Sequence, residues 1–103
     1  MQMEQIKKFT LLIGLRDKDT KEYKISQKQA KELIKSIVGT CTLSDADGVY
    51  IHDDGTRIEE KCIRVELLFK QDKEVLGYCQ RIKKELNQES VALSVGIENS
   101  ALV

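Results

Sequence analysis

The segment from Gly48 to Phe69 constrains the fold of this chain more than any other. It contains two strand-like runs joined by the polar turn Asp53-Asp54-Gly55. Aspartate and glycine between two such runs are typical of a β-hairpin. In the second run Ile63, Val65, Leu67 and Phe69 alternate with mostly polar residues, which indicates a strand buried on one face. The hairpin therefore places two antiparallel strands in the middle of the chain.

Each flank of this hairpin carries one helical pattern and one further strand. A strand is predicted from Phe9 to Leu15, with alternate residues on one face. The first helix is predicted to begin after Ser26, because Ser26 and Gln29 have the spacing of a capping box, and to end at Gly39. Asp72 is predicted to cap the second helix, and the last strand is predicted over Val91–Ile97.

The resulting order, βαββαβ, predicts a single ferredoxin-like α+β domain over residues 1–103. Right-handed crossovers place both helices on one face of a four-stranded antiparallel sheet. Two details follow from the pattern. Val91, Leu93, Val95 and Ile97 are expected in the core, and Asp45-Ala46-Asp47-Gly48 is expected to form a bulge or a bend in an irregular strand.

The sheet face without helices is expected to form a contact surface. Its predicted residues are Leu12, Tyr50, His52, Arg64, Glu66, Leu68, Ala92 and Ser94. This mixture is too apolar for a fully solvated face and is typical of an interface. We expect Leu12, Tyr50, Glu66, Leu68 and Ala92 to mediate a homo-oligomer. The alternatives are a hydrated face with scattered apolar residues, or a face covered by the chain ends.

Composition narrows the classes of function. Basic and acidic residues number 17 each, so bulk electrostatic capture of nucleic acid or anionic membrane is not expected. The third strand has no outward aromatic residue on which an RNA base could stack. The three cysteines form no CxxC pair, so we expect free thiols and no metal site. With no apolar leader or membrane span, the expected location is the cytoplasm, and no cofactor is predicted.

Six residues near the predicted sheet ends or open face are candidate ligand contacts. They are Tyr50, His52, Glu60, Arg64, Gln88 and Ser90. The functional interpretation is a small polar or anionic ligand held by Arg64 above the ring of Tyr50. The alternative is an Arg64–glutamate pair together with ordinary turn chemistry. No nucleophile with a recognisable partner is present, so no catalytic residue is assigned.

Three short motifs resemble a bacterial family of small ferredoxin-like domains of unknown function. They are Gly48-x-Tyr50, Gly55 followed by Glu60-x-Cys62, and Gln88-Glu89-Ser90-Val91. The family has tryptophan at position 50 and serine at position 62. The residue usage also resembles accessory proteins of phages and other mobile elements. The resemblance implies a non-catalytic protein that inhibits a host defence protein or sequesters a small ligand. The alternatives are a small-molecule enzyme of the dimeric ferredoxin-like kind and a regulatory module without a ligand.

Overall fold

The computed structural model describes residues 1–103 and has the predicted order of elements. The elements are β1 (Glu4–Gly14), α1 (Gln27–Val38), β2 (Thr42–Ile51), β3 (Arg57–Leu68), α2 (Asp72–Glu85) and β4 (Ala92–Ser100). The strands form one antiparallel sheet in the order β2-β3-β1-β4. The predicted ferredoxin-like α+β fold is confirmed.

Both helices pack against one face of the sheet. Phe9, Leu11 and Ile13 of β1 alternate along the strand and are at most 2% exposed. They belong to a single cluster of 13 buried residues that also includes Ile34 from α1 and Ile82 from α2. Each fully buried side chain of this size contributes about 1.5–3 kcal/mol of hydrophobic stabilisation. Neither helix is long and apolar enough to cross a membrane.

The first helix begins as predicted and the second begins one residue away from its prediction. The Ser26 hydroxyl accepts a hydrogen bond from the Gln29 backbone N–H at 3.0 Å, and the Gln29 side chain accepts one from the Ser26 backbone N–H at 2.9 Å. At α2 the N-cap is Gln71 and not Asp72. The Asp72 carboxylate instead accepts a hydrogen bond from Lys7 at 2.9 Å, which ties α2 to β1.

The predicted bulge in β2 is wrong. The pairing of β2 with β3 keeps one register from Thr42–Glu66 to Ile51–Arg57. Gly48 is needed for a different reason, because its backbone lies beneath other side chains. A Cβ atom there would lie 3.1 Å from the Cys62 sulfur and 3.2 Å from the Tyr50 hydroxyl. Glycine in a strand interior often marks such a close approach.

The β2–β3 hairpin extends beyond the rest of the sheet. β1 ends at Gly14, which pairs with Cys62. Apart from one backbone hydrogen bond from Leu15 to Lys61, the strand pairing of residues 47–61 lies within the hairpin. We call residues 47–61 the arm. On the helix side of the arm, Val49 is 51% exposed and Ile51 is 73% exposed, because no helix reaches them.

The last strand is not part of the core, which corrects the sequence prediction. Leu93, Val95 and Ile97 face the helix side of the sheet but are 36%, 52% and 63% exposed. The physical reason is that the helices pack on the two central strands, β1 and β3. They leave the edge strand β4 uncovered. We call Leu93, Val95 and Ile97 the edge stripe.

Candidate functional site

A cleft of about 540 Å³ lies on the open face of the sheet, where the arm begins. Leu12, Gly14 and Ala92 form its floor, and the arm contributes Tyr50, Ile58 and Glu60. The remaining lining residues belong mainly to the loop after β1 and the turn before β4: Arg16, Asp17, Lys18, Lys21, His52, Gln88, Glu89 and Ser90. Pockets for small ligands commonly measure about 300–1,000 Å³, so the cleft has a suitable size.

The carboxylate of Glu60 is held against the floor of this cleft. Glu60 is half-buried, and its side chain lies so close to Gly14 that a Cβ atom on Gly14 would overlap the Glu60 oxygens. One Glu60 oxygen accepts a hydrogen bond from the Arg16 backbone N–H at 2.9 Å. The carboxylate forms no salt bridge within the chain. It is therefore oriented and still able to bind a donor or a cation.

Two weakly acidic groups lie beside Glu60. Cys62 is on the open face but fully buried, and burial followed by the charge of Glu60 raises the pKa of its thiol. Burial raises the pKa of Tyr50 as well, with smaller contributions from Cys62 and Glu60. Both groups therefore stay protonated at neutral pH. Tyr50 is 48% exposed, and its hydroxyl can donate a hydrogen bond.

Three basic residues of the loop after β1, Arg16, Lys18 and Lys21, form one wall of the cleft. The Arg16 guanidinium donates hydrogen bonds to the backbone oxygens of Lys21 at 3.0 Å and Glu59 at 3.2 Å. It also stacks on the Tyr23 ring, with 4.4 Å from its central carbon to the ring centroid. Arginine over an aromatic face gains cation–π attraction. Arg16 thus joins the loop after β1 to the arm, and Lys18 and Lys21 add positive charge to the same wall.

The loop after β1 is also tied to the turn before β4. The Asn87 side-chain amide donates to the carboxylate of Asp17 at 2.9 Å, and the Gln88 amide donates to the Arg16 backbone oxygen at 2.7 Å. The hydrogen bond from Asn87, followed by those from the backbone of Thr20 and Asp19, lowers the pKa of Asp17 to about 2. These contacts fix two walls of the cleft relative to each other.

The structure brings most of the predicted ligand contacts together. Tyr50, His52, Glu60, Gln88 and Ser90 all line the cleft. Arg64 does not: it lies outside the cleft, and its guanidinium binds Glu66 at 2.7 Å. This matches the alternative of an arginine–glutamate pair.

The predicted interface residues separate into two groups. Leu12, Tyr50 and Ala92 line the cleft. Glu66 lies in an ion cluster with Arg64 and with Lys8, whose ammonium is 3.8 Å away. Leu68 is 41% exposed and is not among the cleft residues. The open face is thus more charged in its middle than the sequence pattern indicated.

Sequence reasoning missed three components of the site. Arg16 lines the cleft, because the loop after β1 folds back in a way that no local pattern encodes. Cys62 was interpreted only as a free thiol. Gly14, at the end of a strand, was the available signal, since a strand glycine often marks a close backbone approach. No group of three or more His, Cys, Asp or Glu side chains is placed to hold a metal ion.

No protein family matches this chain, and no curated protein matches it. Several solved structures are similar to it in fold. A phage SAM lyase in complex with S-methyl-5'-thioadenosine matches at a TM-score of 0.58 and 16% identity, covering 94% of this chain and 90% of the lyase chain. A phage SAM lyase in its apo state gives 0.60 and 14%, covering 95% and 90%. The GlnK–ATP complex of B. subtilis gives 0.59 and 14%, covering 91% and 82%. At these identities the likeness establishes a shared fold.

Proposed function

We propose that the cleft binds a small adenosine-containing ligand. The observation that carries this proposal is the oriented, unpaired carboxylate of Glu60 beside the protonated Tyr50 hydroxyl. Paired donors and acceptors of this kind suit the hydroxyl groups of a ribose. The fold likeness supports the choice of ligand, since one similar structure holds S-methyl-5'-thioadenosine and another holds ATP. Both compounds contain adenosine.

SAM (S-adenosylmethionine) is the first ligand to test. It carries a sulfonium cation, an ammonium group and a carboxylate in addition to adenosine. Glu60 offers a partner for a cation, and Lys18 and Lys21, which line the same cleft, offer partners for a carboxylate. Charge-assisted hydrogen bonds of this kind are stronger than neutral ones. The presence of both signs of charge in one cleft favours a zwitterionic ligand over a simple anion.

The biological role we propose is that of a phage or mobile-element accessory protein that sequesters this ligand. Residue usage resembling such proteins supports this role, and so does the phage origin of two similar structures. An accessory protein of this kind could instead act by inhibiting a host defence protein. A preformed cleft favours sequestration, because inhibition by protein contact does not require a concave polar site.

A lyase activity on SAM is the second candidate. The specific observation is that the chain shares its fold with two phage SAM lyases over nearly its whole length. A lyase would break the bond between the sulfonium sulfur of SAM and the γ-carbon of its methionine chain. The electron pair of that bond stays on sulfur, which gives neutral S-methyl-5'-thioadenosine, and the carboxylate of the same chain bonds to the γ-carbon and leaves as a lactone. Tyr50 and Glu60 are the polar pair placed to contact the substrate there. The third alternative, a regulatory module without a ligand, gives no role to this cleft.

The proposal is tested by isothermal titration calorimetry with SAM, S-methyl-5'-thioadenosine and ATP. We expect at least one of them to bind, and Glu60→Gln to weaken its affinity at least tenfold, equivalent to about 1.4 kcal/mol. Glu66→Gln is the matched control, since Glu66 is a glutamate of the same strand and face outside the cleft. Chromatography of the SAM incubation separates the candidates, because a lyase produces S-methyl-5'-thioadenosine faster than it forms from SAM alone in the same buffer, whereas a sequestering protein does not. No binding of any of the three compounds would refute the proposal.

We also propose that the chain self-associates, as the sequence predicts. Leu68 and Tyr50 are exposed by 41% and 48% on the open face, which the sequence predicts as the contact. Apolar side chains that are more exposed lie elsewhere, among them Ile51 at 73% and Ile97 at 63%.

A further inference from the structure

The single chain exposes more surface than its size requires. Its accessible surface is 7167 Å², whereas a folded monomer of 11.7 kDa should expose about 5,900 Å². Its radius of gyration is 15.1 Å, against about 13 Å for a domain of this length. A subunit contributes about 800 Å² to an interface of standard size. The surplus of roughly 1,300 Å² is therefore larger than one such contact and smaller than two.

Two separate apolar surfaces are exposed on the chain. The first is the helix side of the arm, where Val49 and Ile51 are exposed. The second is the edge stripe on β4, extended by Leu76 of α2, which is 55% exposed. The sheet order β2-β3-β1-β4 places these two surfaces at opposite edges of the molecule. They cannot cover each other within one chain.

The charges beside the two surfaces are complementary. The tip of the arm carries Asp53 and Asp54, and neither forms a salt bridge. Lys83 lines the groove between α2 and β4, together with Leu76 and Leu93. The Lys83 ammonium likewise has no carboxylate within salt-bridge distance. The arm therefore offers two unpaired carboxylates at its tip, and the groove offers the unpaired ammonium of Lys83.

We propose that copies of this chain assemble head to tail, with the arm of one copy packed on the edge stripe and α2 groove of the next. Because the two surfaces differ, the contact is heterologous, and repetition closes a ring when the rotation between copies allows it. The cleft stays accessible, because Tyr50 and Ile58 lie on the opposite side of the arm from Val49 and Ile51. The assembly is thus independent of the proposed ligand.

Light scattering coupled to size exclusion tests this proposal with variants of exposed residues. We expect the wild-type mass to be a multiple of 11.7 kDa. Ile51→Lys on the arm and Val95→Lys on the edge stripe should each give monomers, because each places a charge in a packed apolar contact. Leu68→Lys on the open face is the matched control and should assemble as the wild type does.

Mixing the two monomeric variants supplies the decisive measurement. Ile51→Lys keeps its edge stripe and Val95→Lys keeps its arm, so an equimolar mixture should form a pair with twice the 11.7 kDa mass and go no further. Circular dichroism establishes whether each variant is folded. If Val95→Lys is unfolded, Ile97→Lys takes its place in the experiment. A monomeric wild type, a failure of the mixture to pair, or dissociation caused by Leu68→Lys alone would overturn the proposal.

Discussion

At Gly14 the absence of a side chain determines where a carboxylate of the candidate site can lie. Glu60 folds over Gly14, and a Cβ atom there would occupy the same space as the Glu60 oxygens. Gly14→Ala should displace Glu60 and break its hydrogen bond with the Arg16 backbone, lowering the free energy of unfolding by about 1 kcal/mol. If the proposed function holds, ligand affinity should also fall about tenfold, which corresponds to 1.4 kcal/mol.

Gly96→Ala is the matched control for this substitution. Gly96 is also a strand glycine without a positive φ, and a Cβ atom there meets nothing within 4 Å. Alanine at this position should be neutral or should stabilise the fold by up to about 1 kcal/mol, because it restricts the unfolded chain. Urea unfolding of both variants measures the difference. Equal stability of the two variants would show that Glu60 does not depend on the space above Gly14.

At the scale of elements, the loop after β1 and the turn before β4 are coupled through Asp17 and Asn87. The hydrogen bond from Asn87 is the first cause that lowers the pKa of Asp17 from its ordinary 3.8 to about 2. A lowered pKa means that the ionised carboxylate stabilises the folded loop above about pH 4. This contribution disappears as the pH falls from 3.8 towards 2.

Asn87→Gly should raise the pKa of Asp17 towards 3.8. Glycine is the appropriate replacement, because Asn87 has a φ of 47° and glycine tolerates that conformation. Nuclear magnetic resonance titration of the Asp17 carboxyl carbon measures the midpoint directly, with Asn99→Gly on β4 as the control. An unchanged midpoint in Asn87→Gly would mean that the backbone donors of Thr20 and Asp19 alone hold the carboxylate.

The elements themselves could be predicted from the sequence because their signals are local. Alternation in β1 and β3 and the Ser26 cap need only neighbouring residues, and the structure confirms them. The bulge at 45–48 was wrong because aspartate and glycine also occur in regular strands when their backbone approaches other groups. The burial of Leu93, Val95 and Ile97 was wrong for a different reason. Alternation identifies one face of a strand but not whether a helix covers it.

The candidate site was only partly predictable, because part of it depends on contacts between residues far apart in the sequence. Tyr50, His52 and Glu60 lie on or beside one hairpin, so their proximity follows from short-range pairing. Arg16 reaches the arm through hydrogen bonds to Glu59 that join residues 43 positions apart. Such a contact depends on the path of an irregular loop. Sequence reasoning therefore located the arm side of the cleft, whereas Arg64, which it grouped with these residues, lies outside the cleft and pairs with Glu66.

At the scale of the whole molecule, the proposed assembly has a thermodynamic consequence besides mass. A chain that buries its arm and edge stripe only in the oligomer should unfold at a temperature that rises with protein concentration. Calorimetric scans of the wild type over roughly a hundredfold range of concentration should show this rise. The unfolding temperature of Ile51→Lys should not depend on concentration and should equal that of the dilute wild type. The unfolding temperature of Leu68→Lys should still rise with concentration.

A wild-type unfolding temperature that does not change with concentration would show that the two surfaces remain exposed in solution. The surplus surface of the chain would then have to be stable in water, against the ordinary scaling of monomer area with mass.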